Sequence, residues 1–194
     1  GHRVRHASRH LNLLAGLVFY EDGRRLTPTH SRKQGKTYRY YATVKADTGA
    51  SGSIRVPAED LEGIVRQALL ELLRSEQRLA DEVGARGLSI DETSNVFAEA
   101  GAIAVKIETG MADDQRALML DLLSQVVVKQ DRVEVQIKKH TLADRVGVQL
   151  NDDTSQEDLI KLTTSTVPAQ VARGRKMLVG AGPGDPELLT VKAV

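Results

Sequence analysis

The sequence predicts an α+β fold: a small cysteine-free β-ribbon, then a helical unit with a long helix and a β-hairpin, then a short β segment. Three patterns indicate this class. β-Forming residues flank an Asp-Gly turn at 22–23. Apolar residues recur at steps of three and four between 57 and 83. Residues 133–137 alternate apolar and polar side chains, as a half-buried strand does.

The ribbon begins with an apolar run at 13–19, which is long enough for one buried strand. Glu21-Asp22-Gly23 is typical of a tight hairpin turn, because Asp and Gly tolerate positive φ. Residues 24–30 are the predicted return strand, and 31–36 a polar, cationic loop. Residues 37–44, rich in β-formers, complete the ribbon as a second strand.

Cations, hydroxyls and tyrosines are interleaved along this ribbon, a mixture that suits phosphate contacts with aromatic faces alongside. The alternative is a solvated basic face on an ordinary ribbon. By the period-two rule, Tyr38 and Tyr40 share one strand face, and Arg39 and Tyr41 share the other. We expect the tyrosine pair Tyr38 and Tyr40 to pack inward and the Arg39 face to meet DNA. The predicted DNA-binding residues are Arg24, Arg25, Thr27, Arg32, Lys33, Lys36 and Arg39.

A loop at 46–55 leads to a helix predicted over residues 57–83, with Pro57 in its first turn and a break at Gly84. Weaker helical periodicity follows at 91–105, and a third helix is predicted at 113–124. We expect Leu69 or Leu72 to be buried against this third helix.

β Character returns at 125–128, and a turn leads to the alternating strand at 133–137. Residues 141–158 are predicted to be a polar loop. Residues 159–171 carry a strand that Pro168 places at an edge or end. A short strand is predicted at 177–179.

The predicted organisation has four parts. They are a basic linker at 1–12, the ribbon module at 13–55, the helical unit with its C-terminal hairpin at 56–140, and a loop and β segment at 141–194. We interpret the chain as a fragment of a longer protein, because it starts with Gly1 and stops inside a helical pattern.

The charge is strongly asymmetric although the whole chain carries only +1. Residues 1–46 hold ten Lys or Arg and two acidic residues, whereas residues 47–194 hold 17 basic and 24 acidic residues. Clustered cations bind nucleic acid by releasing counterions from phosphates, so the N-terminal block predicts double-stranded DNA as a partner. The absence of cysteine excludes disulfides and fits a cytoplasmic protein, and the sequence shows no membrane-spanning run.

Three pieces of the ribbon resemble the zinc-ribbon module of the large serine recombinases, of the resolvase/invertase type. They are Leu13-Leu14-Ala15-Gly16-Leu17, Gly23-Arg24-Arg25-Leu26 and Lys36-Thr37-Tyr38-Arg39-Tyr40-Tyr41, in the family's order and spacing. Later segments are also similar to that family: the Val56-Pro57-Ala58 helix start, the hairpin around Asp131-Arg132-Val133, and Asp185-Pro186-Glu187, which is similar to a helix-turn-helix start.

The sequence departs from the family at its metal ligands. Phe19 and Asp22 stand where the family has its first cysteine pair, and Ala42 stands where the third cysteine follows the tyrosines. A tetrahedral zinc site needs four nitrogen or sulfur ligands. We therefore predict a ribbon without metal or any other cofactor, in which apolar packing replaces the zinc.

The resemblance implies the DNA-binding C-terminal region of a site-specific recombinase that acts in DNA recombination and integration in a mobile element. The family's nucleophilic serine lies in an upstream domain, and no serine here matches its motif, so we assign no catalytic residue. The parent protein is implied to be a homo-oligomer. Alternatively, the chain is a protein-interaction module of the recombinase synapse.

A second resemblance covers only the last residues. Leu178-Val179-Gly180-Ala181-Gly182-Pro183-Gly184-Asp185-Pro186 is similar to the opening S-adenosylmethionine-binding signature of uroporphyrinogen-III methyltransferases. Glycines after a strand let the backbone approach a ligand. The other strands that would complete a cofactor pocket do not follow, so a fusion remnant or a chance match is the implied alternative, and no cofactor is assigned.

Overall fold

Two sheets and five helices in the described residues confirm the α+β class. The computed structural model describes residues 11–44, 52–150 and 158–168. The strands are β1 (Val18–Tyr20), β2 (Thr27–Lys33), β3 (Lys36–Ala42), β4 (Arg55–Pro57), β5 (Leu123–Val128), β6 (Val133–Lys138) and β7 (Leu159–Thr164). The helices are α1 (Ala58–Arg74), α2 (Glu76–Val83), α3 (Ile90–Thr109), α4 (Ala112–Leu122) and α5 (Lys139–Arg145).

Strands β2, β3 and β4 form an antiparallel sheet in that order. The loop predicted at 31–36 is wrong, because β2 and β3 continue to a two-residue turn between Lys33 and Lys36. Gln34 and Gly35 both have positive φ, 50° and 76°, as a type I′ hairpin turn requires. The sequence did not reveal this turn because glutamine is not a usual residue at its first central position.

Strand β1 belongs to the other sheet, whose order is β1-β5-β6-β7. It runs parallel to β5, with Val18 opposite Val126. The predicted strand over 13–19 is wrong in its first part, because Leu13–Leu17 form turns around Gly16, which has φ 90°. The leucines are buried as expected. This sheet therefore contains strands from both sides of the boundaries expected at 55 and 140.

The single helix predicted over residues 57–83 is wrong, since Ser75 is extended and separates α1 from α2. The apolar stripe could not reveal the break, because Leu79 and Val83 of α2 continue its spacing and are also buried. Leu69 and Leu72 are buried as predicted. Their expected partner is wrong, however, because α1 packs mainly on α3 and not on α4.

Helix α3 begins with a complete capping box, in which Ser89 accepts from the Glu92 N–H and the Glu92 carboxylate accepts from the Ser89 N–H. The bond from the Ser89 backbone lowers the pKa of Glu92.

The loop predicted at 141–158 is wrong in its first part, where helix α5 extends to Arg145. This helix is short and mostly polar, so only buried Leu142 and Ala143 anchor it. The strand predicted at 177–179, the Gly180–Gly184 motif and the possible helix-turn-helix start lie outside the described residues.

The buried side chains form one hydrophobic core that includes residues of both sheets and of all five helices. Aliphatic residues fill it almost entirely, and Tyr20 and Tyr41 are its only aromatic members among the described residues. No described helix is both long and apolar enough to cross a membrane.

Replacement of Leu72 by alanine should lower the free energy of unfolding by about 2–5 kcal/mol, because Leu72 is a fully buried residue of the hydrophobic core. Chemical denaturation of the purified protein measures this change. Leu120→Ala is the matched control, since Leu120 is 41% exposed and its replacement should have little effect. Equal, small effects in both variants would contradict a packed site at Leu72.

Candidate nucleic-acid interface

The outer part of the β2–β3 hairpin projects as a two-stranded arm. Strand β4 pairs only with Tyr40, Tyr41 and Ala42 at the base of β3. Beyond the Thr29–Tyr40 pair, four more residue pairs lead to Lys33 and Lys36 at the tip. At roughly 3.4 Å per residue, this arm, residues 29–40, is about 14 Å long.

The register assigns every arm residue to one of two faces, because residues directly opposite each other point to the same side. We call the side that bears Tyr38 and Tyr40 the outer face; the other, with Arg39 and Tyr41, is the inner face. The outer face carries Thr29, Ser31, Lys33, Lys36, Tyr38 and Tyr40. The inner face carries His30, Arg32, Thr37 and, at the base, Arg39 and Tyr41.

The prediction of which face packs inward is wrong. Tyr41 is fully buried and Arg39 is only 22% exposed, whereas Tyr38 is 44% exposed. The reason is a buried acceptor on α1, the carboxylate of Glu62, which pairs with the arginine and the tyrosine of the inner face. Nothing in the periodicity of β3 indicates that a carboxylate will face it.

Glu62 is 4% exposed and accepts hydrogen bonds from three residues, two in β3 and one in the segment before β1. The Tyr41 hydroxyl donates to its Oε1 at 2.8 Å, and the Leu13 N–H donates to the same oxygen at 3.0 Å. Arg39 donates from Nη1 to Oε1 at 3.3 Å and from Nη2 to Oε2 at 3.2 Å. The Leu14 N–H donates to the Tyr41 hydroxyl oxygen at 3.0 Å. The buried charge is thus paired and multiply hydrogen-bonded, as its burial requires.

Two arginines extend this network to the first described residues. Arg39 Nη1 also donates to the Leu11 carbonyl at 3.0 Å and to Asn12 Oδ1 at 3.3 Å. Arg116 of α4 donates to the Asn12 carbonyl at 2.7 Å. The base of the arm is therefore fixed to α1, α4 and the segment that precedes β1.

Arg24, predicted to contact DNA, instead links two loops near the base of the arm. Its Nε donates to Asp22 Oδ2 at 2.9 Å, and its Nη1 donates to the Gly52 carbonyl at 2.8 Å. Arg24 is 9% exposed. The resemblance places a metal ligand at position 22. In this protein Asp22 stands there, and its carboxylate pairs with Arg24.

The other predicted residues divide into a base group and a tip group. Thr27 donates its hydroxyl to the Ala42 carbonyl at 3.3 Å within the hairpin, and exposed Arg25 lies 5.5 Å from the centre of the Phe19 ring. The turn brings the tip group together at the end of the arm. Its members are Arg32, Lys33 and Lys36, and all three are exposed.

Arg55 is an additional cation that the sequence analysis missed. Its guanidinium lies 3.7 Å from the centre of the Tyr40 ring, on the outer face, which is a cation–π geometry. Arg55 reaches this position because β4 pairs with β3, with Arg55 opposite Ala42. The sequence places Arg55 in a loop, so only the pairing of these two strands reveals it.

The tip cations have no acidic residue close to them in the sequence. Residues 23–44 contain no Asp or Glu. Among the described residues, no ion pair includes Arg32, Lys33 or Lys36. These three charges are therefore available to an anionic partner, in contrast to the paired Arg24 and Arg39.

The described part of the chain contains no cluster of three or more His, Cys, Asp or Glu residues suited to a metal ion. No family model, curated protein or solved structure matches the chain. The candidate site is thus defined by its own geometry: a projecting basic ribbon with a hydrogen-bonded base.

Glu62→Ala should lower the free energy of unfolding by about 3 kcal/mol or more, because Arg39 and the Tyr41 hydroxyl would lose their buried acceptor. Urea denaturation measures the decrease. Glu59→Ala, a substitution one turn earlier at an exposed position of the same helix, is the control. A decrease no larger than that of the control would show that the network adds no stability.

Burial, and then the adjacent Glu62 charge, raise the pKa of Tyr41 well above its ordinary value of about 10. The stabilisation linked to this shift is complete below the unfolded-state pKa and declines as the pH rises above it, because only the unfolded chain then releases the proton. Above pH ~10, each further pH unit should therefore lower the free energy of unfolding of the wild type by about 1.4 kcal/mol more than that of Tyr41→Phe. Denaturation curves between pH 8 and 11 test this, and parallel profiles would contradict it.

Proposed function

We propose that this protein binds double-stranded DNA through the arm, as the DNA-binding region of a site-specific serine recombinase that acts in DNA recombination and integration. The supporting observation is the projection of three cations, Arg32, Lys33 and Lys36, at the end of a two-stranded ribbon; none of them forms an ion pair with another described residue. The recombinase resemblance of the ribbon segments supports the biological context.

The dimensions of the arm fit this function. The major groove of B-DNA is about 12 Å wide and admits a two-stranded β-ribbon. An arm about 14 Å long with a two-residue turn has no bulky loop at its tip that would prevent entry. Lys33 and Lys36 lie opposite each other across the turn, so they would reach the phosphates of both groove walls or of one strand.

The outer face supplies the contacts behind the tip. Ser31 and Tyr38 form one pair of the register and offer two hydroxyl groups, which bond phosphate oxygens or base edges. Behind them lies the Arg55 guanidinium on the Tyr40 ring. The order of groups from tip to base is therefore cation, hydroxyl, then arginine on an aromatic ring, all on one side of the ribbon.

The buried base favours binding because it is rigid. The hydrogen bonds of Arg39 and Tyr41 to Glu62 fix the inner face before DNA arrives, so the arm loses little conformational freedom on binding. Arg24 and Arg39 have this structural role in the proposal, and the phosphate contacts are assigned to Arg25, Arg32, Lys33, Lys36 and Arg55.

This region supplies binding and no catalytic group. In the parent enzyme that the resemblance implies, strand exchange depends on a serine of another domain, and oligomerisation brings several DNA-binding regions together.

The second candidate function is a protein-interaction module. Its support is a set of exposed apolar residues at the ends of α3 and just before α4: Ile90, Val105 and Met111, 88%, 57% and 73% exposed.

The triple variant Arg32→Ala, Lys33→Ala, Lys36→Ala should weaken binding to any duplex, because it removes three cations that neutralise phosphates independently of sequence. The slope of log binding constant against log salt concentration should become less negative by roughly two to three units. Each phosphate that the protein no longer neutralises reduces the magnitude of the slope by about 0.9. Fluorescence titrations of a labelled duplex at several salt concentrations measure both quantities.

The control variant replaces Arg78, Arg86 and Lys106, three exposed cations away from the arm, by alanine. It removes the same charge and should leave the salt slope within about one unit of the wild type. An unchanged slope in the arm variant, or an equal change in both variants, would show that the arm is only a solvated face and would favour the protein-interaction module.

A further inference from the structure

The outer edge of β7 presents main-chain groups that β6 does not bond. Strand β7 pairs with β6 on one side, and in the described residues no strand pairs with its other side. The Lys139 N–H donates to the Asp158 carbonyl at 3.1 Å, which fixes the alternation of the antiparallel ladder. It follows from the register that Ile160, Leu162 and Thr164 bond to β6, whereas the N–H and C=O groups of Leu159, Lys161 and Thr163 point away from it.

The other outer edges of the described sheets are less suited to receive a strand. β1 has a bridge between Phe19 and Arg25 on its outer side, and the Leu26 N–H donates to the Val18 carbonyl there. β2 contains Pro28 and the three-residue strand β4 ends in Pro57, and proline has no N–H. The edge of β7 contains no proline and no such bridge, and it is long enough to pair with about six residues of an added strand.

A groove of about 530 Å³ lies between this strand and α1. Ile64 and Ala68 of α1 and Leu162 of β7 contribute apolar surface to it. Every second side chain of a strand added beside β7 would point towards α1 and lie over this apolar surface, because side chains of neighbouring strands keep the same alternation.

The groove is acidic at its margins. Glu59, Asp60 and Glu71 of α1 contribute three carboxylates, and Arg78 contributes the single guanidinium. None of the three carboxylates forms an ion pair within the described part of the chain. A ligand that complements the groove therefore carries positive charge in addition to apolar side chains.

We propose that this groove binds an extended basic peptide of a partner protein, which adds to β7 as a fifth strand of the sheet. The main-chain groups of Leu159, Lys161 and Thr163 supply the hydrogen bonds. Alternate apolar side chains of the peptide fill the groove, and its Lys or Arg residues pair with the α1 carboxylates. This mode of recognition obtains affinity from the backbone and specificity from alternate side chains. It is independent of DNA binding by the arm, which lies on the other sheet.

The test is a titration of the full chain with a fluorescent peptide in which valine alternates with lysine or arginine. A peptide with glutamate in place of every cation is the charge control. We expect binding of the basic peptide alone. Lys161→Pro removes one outward N–H and keeps the β6 ladder, whereas Lys161→Ala makes the same charge change and keeps the N–H. The proline variant should bind about tenfold more weakly than the alanine variant.

Two further measurements keep the test decisive if Lys161→Pro does not fold. A peptide methylated on alternate backbone nitrogens should bind the wild type about tenfold more weakly when the methylated groups are those that face β7. The double variant Glu59→Gln, Glu71→Gln should reduce the salt dependence of peptide binding.

Three results would overturn the proposal. The first is no binding of the basic peptide by the wild type. The second is equal binding of the methylated and unmethylated peptides, which would mean that the main chain is not used. The third is binding that appears only after Arg173, Arg175 and Lys176 are replaced by glutamate, since the chain's own basic segment would then be the occupant.

Discussion

A buried carboxylate must be surrounded by hydrogen-bond donors, and Glu62 places this constraint on the contact of α1 with β3 and with the segment before β1. An unpaired buried charge is costly, and Arg39, Tyr41 and the Leu13 N–H remove that cost by converging on this carboxylate. Those groups come from two segments distant from each other in sequence, β3 and the residues before β1. This acceptor, together with the pairing of β3 to β4 directly before α1, sets the orientation of the hairpin relative to α1.

A second ionic contact acts where the recombinase resemblance expects a metal. Arg24 joins Asp22 to the Gly52 carbonyl, and so connects the turn after β1 to the segment before β4. A guanidinium with several donors in a fixed plane can hold two loops together much as a shared metal does, although each of its bonds is weaker. The hydrophobic core then supplies the remaining stability, with Leu26 and Val56 both fully buried near the base of the arm.

Local sequence patterns predicted which segments form helices and strands better than they predicted which segments pack against each other. The α+β class, the buried leucines of α1 and the alternating strand around Val135 follow from spacing alone. The break at Ser75, the inward turn of Arg39 and the Arg55–Tyr40 contact do not, because each depends on a partner distant in sequence. Of the predicted DNA-binding residues, the structure groups Arg32, Lys33 and Lys36 at the tip, since a short turn between two strands leaves them no other position.

The parallel pairing of β1 with β5 has a consequence for the synthesis of the chain. Val18 is made early but lies opposite Val126, so β1 has no partner strand until most of the described chain has left the ribosome. Contacts of such long sequence separation slow folding, because the intervening loop must be closed first. During that interval Val18 and Tyr20, which are buried in the folded protein, lack the strand that pairs with them, and unpaired strand edges of this kind favour aggregation.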